Sequence, residues 1–278
     1  MISEPFFLST PSGRLFAVHH RPAQGTQPRG NVLCVPAFNE EMNRCRSMVT
    51  QQAQAFAAMG FGTLVLDLLG TGDSEGEFVD GRWSHWLDNL AAGVAWLDEQ
   101  PGGCRSIWGI RLGALLGAQL HARLARPDIT LALWQPVTDG KTHLTQFFRV
   151  RIAAGLDRPG GPKETTAAMR EQLASGQPLE VAGYEIHPEL AKAIDGARLD
   201  QAQLLPGTRV LWLESAPEDK PELSPASQAV LGRWPAAPAE VQRQVFAGPA
   251  FWQVYERVLA PAAISHTATW LDTHCQAP

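Results

Sequence analysis

Apolar positions along the chain recur with a period of two in some stretches and about 3.6 in others. The order of those stretches predicts the architecture. Residues 6–9 and 15–19 flank Pro11-Ser12-Gly13, a turn-forming triplet, and read as a β-hairpin. Asn31-Val32-Leu33-Cys34-Val35, bounded by Gly30 and Pro36, is apolar almost throughout, as a strand buried on both faces must be. A helix is predicted from about Asn43 to Met59, then a strand over residues 63–67. Trp83, Trp86, Leu87, Leu90, Val94 and Leu97 fall at helical spacing within residues 83–100. A strand at Ser106-Ile107-Trp108 leads into a helix over 114–126. Further strands are predicted at 129–137, 209–214 and 241–246. Strands alternating with helices predict an α/β protein with a mostly parallel sheet covered on both faces.

This rhythm breaks between about residues 138 and 206. That stretch holds Asp157-Arg158-Pro159-Gly160-Gly161-Pro162 and two or three helical pieces, with no apolar strand. It reads as a helical cap inserted after the sixth strand of a single domain spanning residues 1–278. Its flank, residues 183–188, either lines a pocket or caps a helix. Residues 216–240, rich in Pro and Ala, read as a loop-and-helix connection.

Composition narrows the function only by exclusion. Apolar residues make up 45% of the 278, ample for a buried core. A net charge of −5 with mixed signs argues against nucleic acid as a main partner. No run of about 18 apolar residues spans a membrane. The start of the chain shows no basic segment followed by an apolar core, so no secretory leader is expected. Cysteines 34, 45, 104 and 275 have neither metal-like nor disulfide-framework spacing and read as reduced thiols in the cytoplasm. No metal site and no cofactor are expected, and the oligomeric state is not legible.

The chemistry concentrates at Gly109-Ile110-Arg111-Leu112-Gly113, between a predicted strand and a predicted helix. This is the setting of a Gly-x-Ser-x-Gly nucleophile elbow, with arginine in place of serine. A guanidinium stays protonated at any ordinary pH and cannot accept an acyl group as a nucleophile. Three other segments accompany it. Pro36-Ala37-Phe38-Asn39-Glu40-Glu41 follows the third strand, Asp67-Leu68-Leu69-Gly70-Thr71-Gly72-Asp73-Ser74-Glu75-Gly76 follows the fourth, and Gly248-Pro249-Ala250-Phe251-Trp252 follows the last. In that order, over residues 6–275, they resemble the α/β-hydrolase fold: a mostly parallel eight-stranded sheet with helices on both faces and a helical cap insertion.

Glu40-Glu41-Met42-Asn43-Arg44, Trp108-Gly109-Ile110-Arg111-Leu112-Gly113-Ala114 and the Gly248–Trp252 segment more narrowly resemble the exosortase A system-associated hydrolase 2 family. That resemblance implies a hydrolase-family protein of an exopolysaccharide-linked pathway, acting on or binding an acyl ester or thioester. It places Arg111 at the nucleophile position and Phe251 at the position of the base. Glu214, Glu218 and Asp219 are the acid candidates. The Ser-His pair of such enzymes is thereby missing, and no catalytic residue is assigned.

Substitute nucleophiles are poorly placed. Ser106 and Cys104 fall in the strand before the elbow, Ser74 falls in a turn, and Cys45 reads as a buried helix residue. His85 and His143 can reach the pocket from neighbouring elements but lack placed partners. Asp73 and Glu75 read as turn-stabilising side chains rather than metal ligands, and Asp139 as a helix N-cap. The pocket candidates are Phe38, Asn39, Glu40, Glu41, Arg111, Leu112 and Trp252. Two readings of Arg111 stand. In one, Glu40 or Glu41 pairs with it and fills the former catalytic site. In the other, Arg111 and the helix amides bind an anionic ligand: a carboxylate, a phosphate or an acyl-carrier phosphopantetheine. The opposing functional class is a non-catalytic pocket protein for an anionic or acyl ligand or a partner. A carboxylate base beside the arginine would suit lyase-type or water-mediated chemistry.

Overall fold

The computed structural model describes residues 2–156, 164–234 and 239–275. Its eight-stranded sheet has the order β1-β2-β4-β3-β5-β6-β9-β10. The strands are β1 (Ser3–Thr10), β2 (Gly13–His20), β3 (Gly30–Val35), β4 (Phe61–Leu66), β5 (Cys104–Ile110), β6 (Thr130–Trp134), β9 (Thr208–Ser215) and β10 (Ala239–Phe246). The β1–β2 hairpin is antiparallel and β2 meets β4 antiparallel; every other pairing is parallel. This is the sheet of the α/β-hydrolase fold.

The parallel strands are buried on both faces because helices cover both, which is why they read as continuous apolar runs. Alternate side chains of β3 serve different cores. Leu33 and Val35 join the layer under α2 (Trp83–Asp98) and α3 (Leu112–Leu124). Val32 and Cys34 join the layer under α1 (Glu40–Ala58) and the last described helix (Pro261–His274). Strand β9 alternates likewise, with Val210 and Trp212 on one side and Leu211 and Leu213 on the other.

Two boundaries differ from the periodicity for local reasons. Helix α1 begins at Glu40 instead of Asn43, because Asn39 turns sharply (φ 53, ψ −127) and Glu40 and Glu41 suit the positive end of the helix. Strand β6 stops at Trp134 instead of reaching Val137, because Gln135 adopts φ 42 and leaves the sheet.

Between β6 and β9 lie α4 (Gly140–Leu156), α5 (Thr166–Ala174), a hairpin of β7 (Leu179–Val181) and β8 (Tyr184–Ile186), and α6 (Pro188–Gly196). The hairpin corrects the expectation that this stretch holds no strand. Three-residue strands are too short to show a period, and their turn, with Ala182 and Gly183 both at positive φ, carries the pairing. The Asp157–Pro162 segment lies outside the described residues. The two ends of the insertion are pinned together by Gly140 N donating to Ala197 O and Leu199 N donating to Thr138 O, each at 3.0 Å. Asp139 caps α4 through the Thr142 amide (2.7 Å) and pairs with Arg198 at 3.0 Å.

Candidate functional site

The β5–α3 turn has the backbone of a nucleophile elbow. Arg111 sits at φ 56, ψ −119, a strained conformation for a residue with a Cβ. The flanking glycines are demanded by close packing. A Cβ on Gly113 would fall on the carbonyl oxygens of Pro36 and Val35, and one on Gly109 would strike Ala114. Asn39, at the end of the β3–α1 loop, is strained in a similar way. Two tight turns, each opening a helix, therefore meet at the carboxyl ends of β3 and β5.

The Arg111 guanidinium directs three of its five N–H donors at protein oxygens. Nε donates to Glu41 Oε1 at 3.1 Å, Nη2 pairs with the same oxygen at 3.1 Å, and Nη1 donates to the Gln135 carbonyl at 3.1 Å. Its Cζ lies 5.3 Å from the centre of the Trp252 ring, a cation–π contact. A cation at the positive end of α3 is unfavourable by itself, and Glu41 offsets it. Burial pushes the Glu41 carboxyl up, while Arg111 pulls it back towards ionisation. Glu40, its neighbour, faces elsewhere and accepts from Tyr184 Oη at 3.0 Å, tying the insertion to α1. Burial and that bond push the Tyr184 hydroxyl up to about 12.

A polar cavity of about 360 Å³ opens beside Arg111, with Gln135, Asp139, His143, Glu214, Ser227 and Trp252 in its walls. His143 is brought there by α4. Its ring packs edge-on to Phe38 (5.9 Å between centres), and Nε2 has no hydrogen-bond partner. Burial, with Arg111 nearby, pushes His143 down to about 3, so it is a neutral imidazole. Among the acid candidates, Glu214 is buried in this wall, whereas Glu218 and Asp219 are exposed. Glu214 accepts from Trp212 Nε1 (2.9 Å), Ser224 N (3.0 Å) and Ser227 Oγ, which leaves it a structural acceptor.

After β10, Phe251 does not face the elbow. It is buried against the Trp134 ring (5.9 Å between centres), and Trp252 is the residue that meets Arg111. The difference is one residue of loop phase, which sequence spacing does not resolve.

A second cavity, of about 120 Å³, lies between α1 and α3 and is lined by Phe38, Asn39 and Leu112 among others. Elsewhere, His85 is exposed on α2 and Cys45 is buried, its thiol pushed up by burial. Ser74 Oγ donates to Asp67 O (2.6 Å), and Glu75 pairs with Arg14, so that turn is held by its own side chains. Among the described residues, no group of three His, Cys, Asp or Glu side chains could hold a metal ion. No helix of the described residues is long and apolar enough to cross a membrane. His143 and the 183–188 flank that holds Tyr184 were legible as able to reach a pocket, and both line one; Gln135 had no motif to announce it and arrives through a loop carbonyl.

Comparison with known proteins agrees with this fold. The family model for the X-Pro dipeptidyl-peptidases of the S15 family matches residues 13–136, from β2 through the elbow and β6. A search of curated proteins finds no match. Among solved structures, the chain is similar to Est1E from Butyrivibrio proteoclasticus: 14% identity, 97% of this chain and 98% of that one covered, TM-score 0.63. It is similar to the esterase domain of a Rhodothermus marinus protein: 15% identity, 98% and 99% covered, TM-score 0.59. An α/β serine hydrolase homologue from Coxiella burnetii aligns at 15% identity over 98% and 97%, TM-score 0.53. At these identities the likeness is one of fold.

Proposed function

We propose that this α/β-hydrolase-fold protein binds an acyl compound of the ester or thioester class without hydrolysing it by the Ser-His route. The observation that carries the reading is the engagement of Arg111 at the elbow. Its donors go to Glu41 and Gln135, and Trp252 lies against it where a base would have to stand. Acyl transfer on this fold requires a nucleophile, a histidine to activate it and an acid to orient that histidine. Arg111 cannot supply the first. His143, at about 3, is far too weak a base to take a proton near neutral pH. Glu214 already serves three donors. What remains is a pocket with helix amides at its base, able to hold an acyl group.

The resemblance to exosortase A system-associated hydrolases supports a place in an exopolysaccharide-linked pathway, the spacing of the four cysteines supports a cytoplasmic setting, and the break in the strand–helix rhythm supports residues 138–206 as the cap over the pocket. The test incubates the protein with a fluorophosphonate probe and with short-chain p-nitrophenyl esters and acyl thioesters, beside Arg111→Ala. The expected result is no labelling and no turnover above the protein-free rate, with saturable binding of the thioester. Stoichiometric labelling of the wild type overturns the proposal. So does turnover that disappears in Glu41→Gln.

A further inference from the structure

The cavity between α1 and α3 differs in chemistry from the Arg111 cavity beside it. No charged side chain lines it, and its walls come from Leu68, Phe78, Trp86, Leu112, Leu116 and Tyr184. Most polar side chains around it are already engaged. Thr71 Oγ1 donates to Leu68 O, Trp86 Nε1 to Leu69 O, Tyr184 Oη to Glu40, and Asn43 Oδ1 accepts from Arg46. Asn39 is the exception. It is 6% exposed, and neither its Nδ2 nor its Oδ1 has a partner. Its strained backbone holds that amide in place (φ 53, ψ −127). A buried amide with both ends unsatisfied is rare and calls for a ligand or an equivalent partner.

A carboxamide offers two donor hydrogens and an acceptor. A carboxylate in the ligand would satisfy Nδ2 but set its charge against Oδ1, and no cationic side chain is among the residues lining the cavity. An ester carbonyl satisfies Nδ2 alone. A carboxamide satisfies both ends. Leu112 and Gly113, which open α3 and line the cavity, carry helix-start amides that also favour a carbonyl oxygen. Size sets the other limit. A dry cavity of about 150 Å³ holds benzene, so about 120 Å³, a smaller space, admits a short chain rather than a substituted ring.

We infer that this cavity binds a small, uncharged apolar group bearing a carboxamide, which Asn39 reads with both ends of its side chain. The inference rests on the proposed binding function and narrows the portion of the acyl compound that enters here.

The experiment titrates the full chain with 4,4,4-trifluorobutanamide, 4,4,4-trifluorobutanoate and methyl 4,4,4-trifluorobutanoate, followed by fluorine NMR. The amide should bind saturably with a Kd of about 1 mM, and the other two at least about fivefold more weakly. Asn39→Gly tolerates the positive φ. It should weaken the amide about tenfold and level the three probes. Asn39→Asp, isosteric but lacking the donor, should weaken it too. Gly155→Ala, at an open position of α4, should leave the amide Kd within about twofold. No saturable amide binding overturns the inference. So do equal affinities for the three probes, or unchanged amide affinity in a folded Asn39 variant. Failure here without fluorophosphonate labelling leaves the proposed function standing, whereas labelling with intact amide binding removes only the latter.

Discussion

The Arg111–Glu41 pair predicts an asymmetry between its two halves. Both side chains are largely buried, 13% and 18% exposed. In Glu41→Gln the arginine keeps its charge at the positive end of α3. Stripping one partner from a buried pair costs about 3–5 kcal/mol. Here the Gln135 carbonyl and the Trp252 ring remain, so about 2–3 kcal/mol is expected. For a chain of this length that lowers Tm by about 4–10 °C. Removing Glu41 also removes its raised carboxyl, so the deficit should shrink until pH passes the wild-type Glu41 value and, because arginine does not deprotonate, stay level above it up to pH 8.

Arg111→Ala removes instead the cation that opposes the burial-driven rise of the Glu41 carboxyl. An acid whose folded pKa is raised contributes its stability below the unfolded value, near 4.5, and loses it as pH climbs through the folded value. Wild type and variant lose this stability alike until pH passes the wild-type Glu41 value; above it the Arg111→Ala deficit should grow, by up to about 1.4 kcal/mol per pH unit, until the variant's higher value is passed. Urea unfolding of wild type, both variants and the double variant at four pH values measures this. An Arg111→Ala deficit that stays flat above the wild-type Glu41 value, or a Glu41→Gln deficit that grows with pH there, refutes the reasoning.

Three further outcomes follow from the site. In Arg111→Ser backgrounds, Trp252→His should give more fluorophosphonate labelling than Phe251→His, because Trp252 faces the elbow while Phe251 faces Trp134; equal labelling contradicts that geometry. His143, pushed down to about 3 by burial and Arg111, is neutral when folded. Its contribution to stability is complete above its unfolded value near 6.5 and is lost as pH falls towards 3, and its NMR shifts should not move between pH 5 and 8. A midpoint near 6.5 would show it to be solvated. Gly113→Ala places a Cβ on the Pro36 and Val35 carbonyls and should cost more than about 3 kcal/mol or prevent folding, whereas Gly155→Ala, in open space on α4, should be neutral or stabilising by up to about 1 kcal/mol, as thermal unfolding would read.

Much of the fold was legible because burial on two faces writes itself into the chain. Strands β3, β5, β6 and β9 are apolar runs for that reason, and α2 shows its stripe of Trp83, Trp86, Leu90, Val94 and Leu97. The β7–β8 hairpin was not legible, since three residues carry no period and the pairing depends on a turn with Ala182 at positive φ. The site was legible only as types and order. Arginine stood in an elbow, and two adjacent glutamates offered themselves as partners. Which one pairs depends on the helical phase of α1, where consecutive side chains point about 100° apart, so Glu41 reaches Arg111 and Glu40 reaches Tyr184.

By itself, the amino-acid sequence determined the alternation of strands and helices, the glycine-flanked elbow and the presence of a charge that cannot act as a nucleophile. These are local properties: periodicity, steric demand and an ionisation that no environment reverses. Tertiary structure alone decided that His143 enters the elbow cavity from the insertion, that Trp252 and not Phe251 stands against Arg111, and that the Asn39 amide is buried without a partner. Each depends on how a loop closes between elements distant in sequence, and loop closure is set by the packed cores on either side of it.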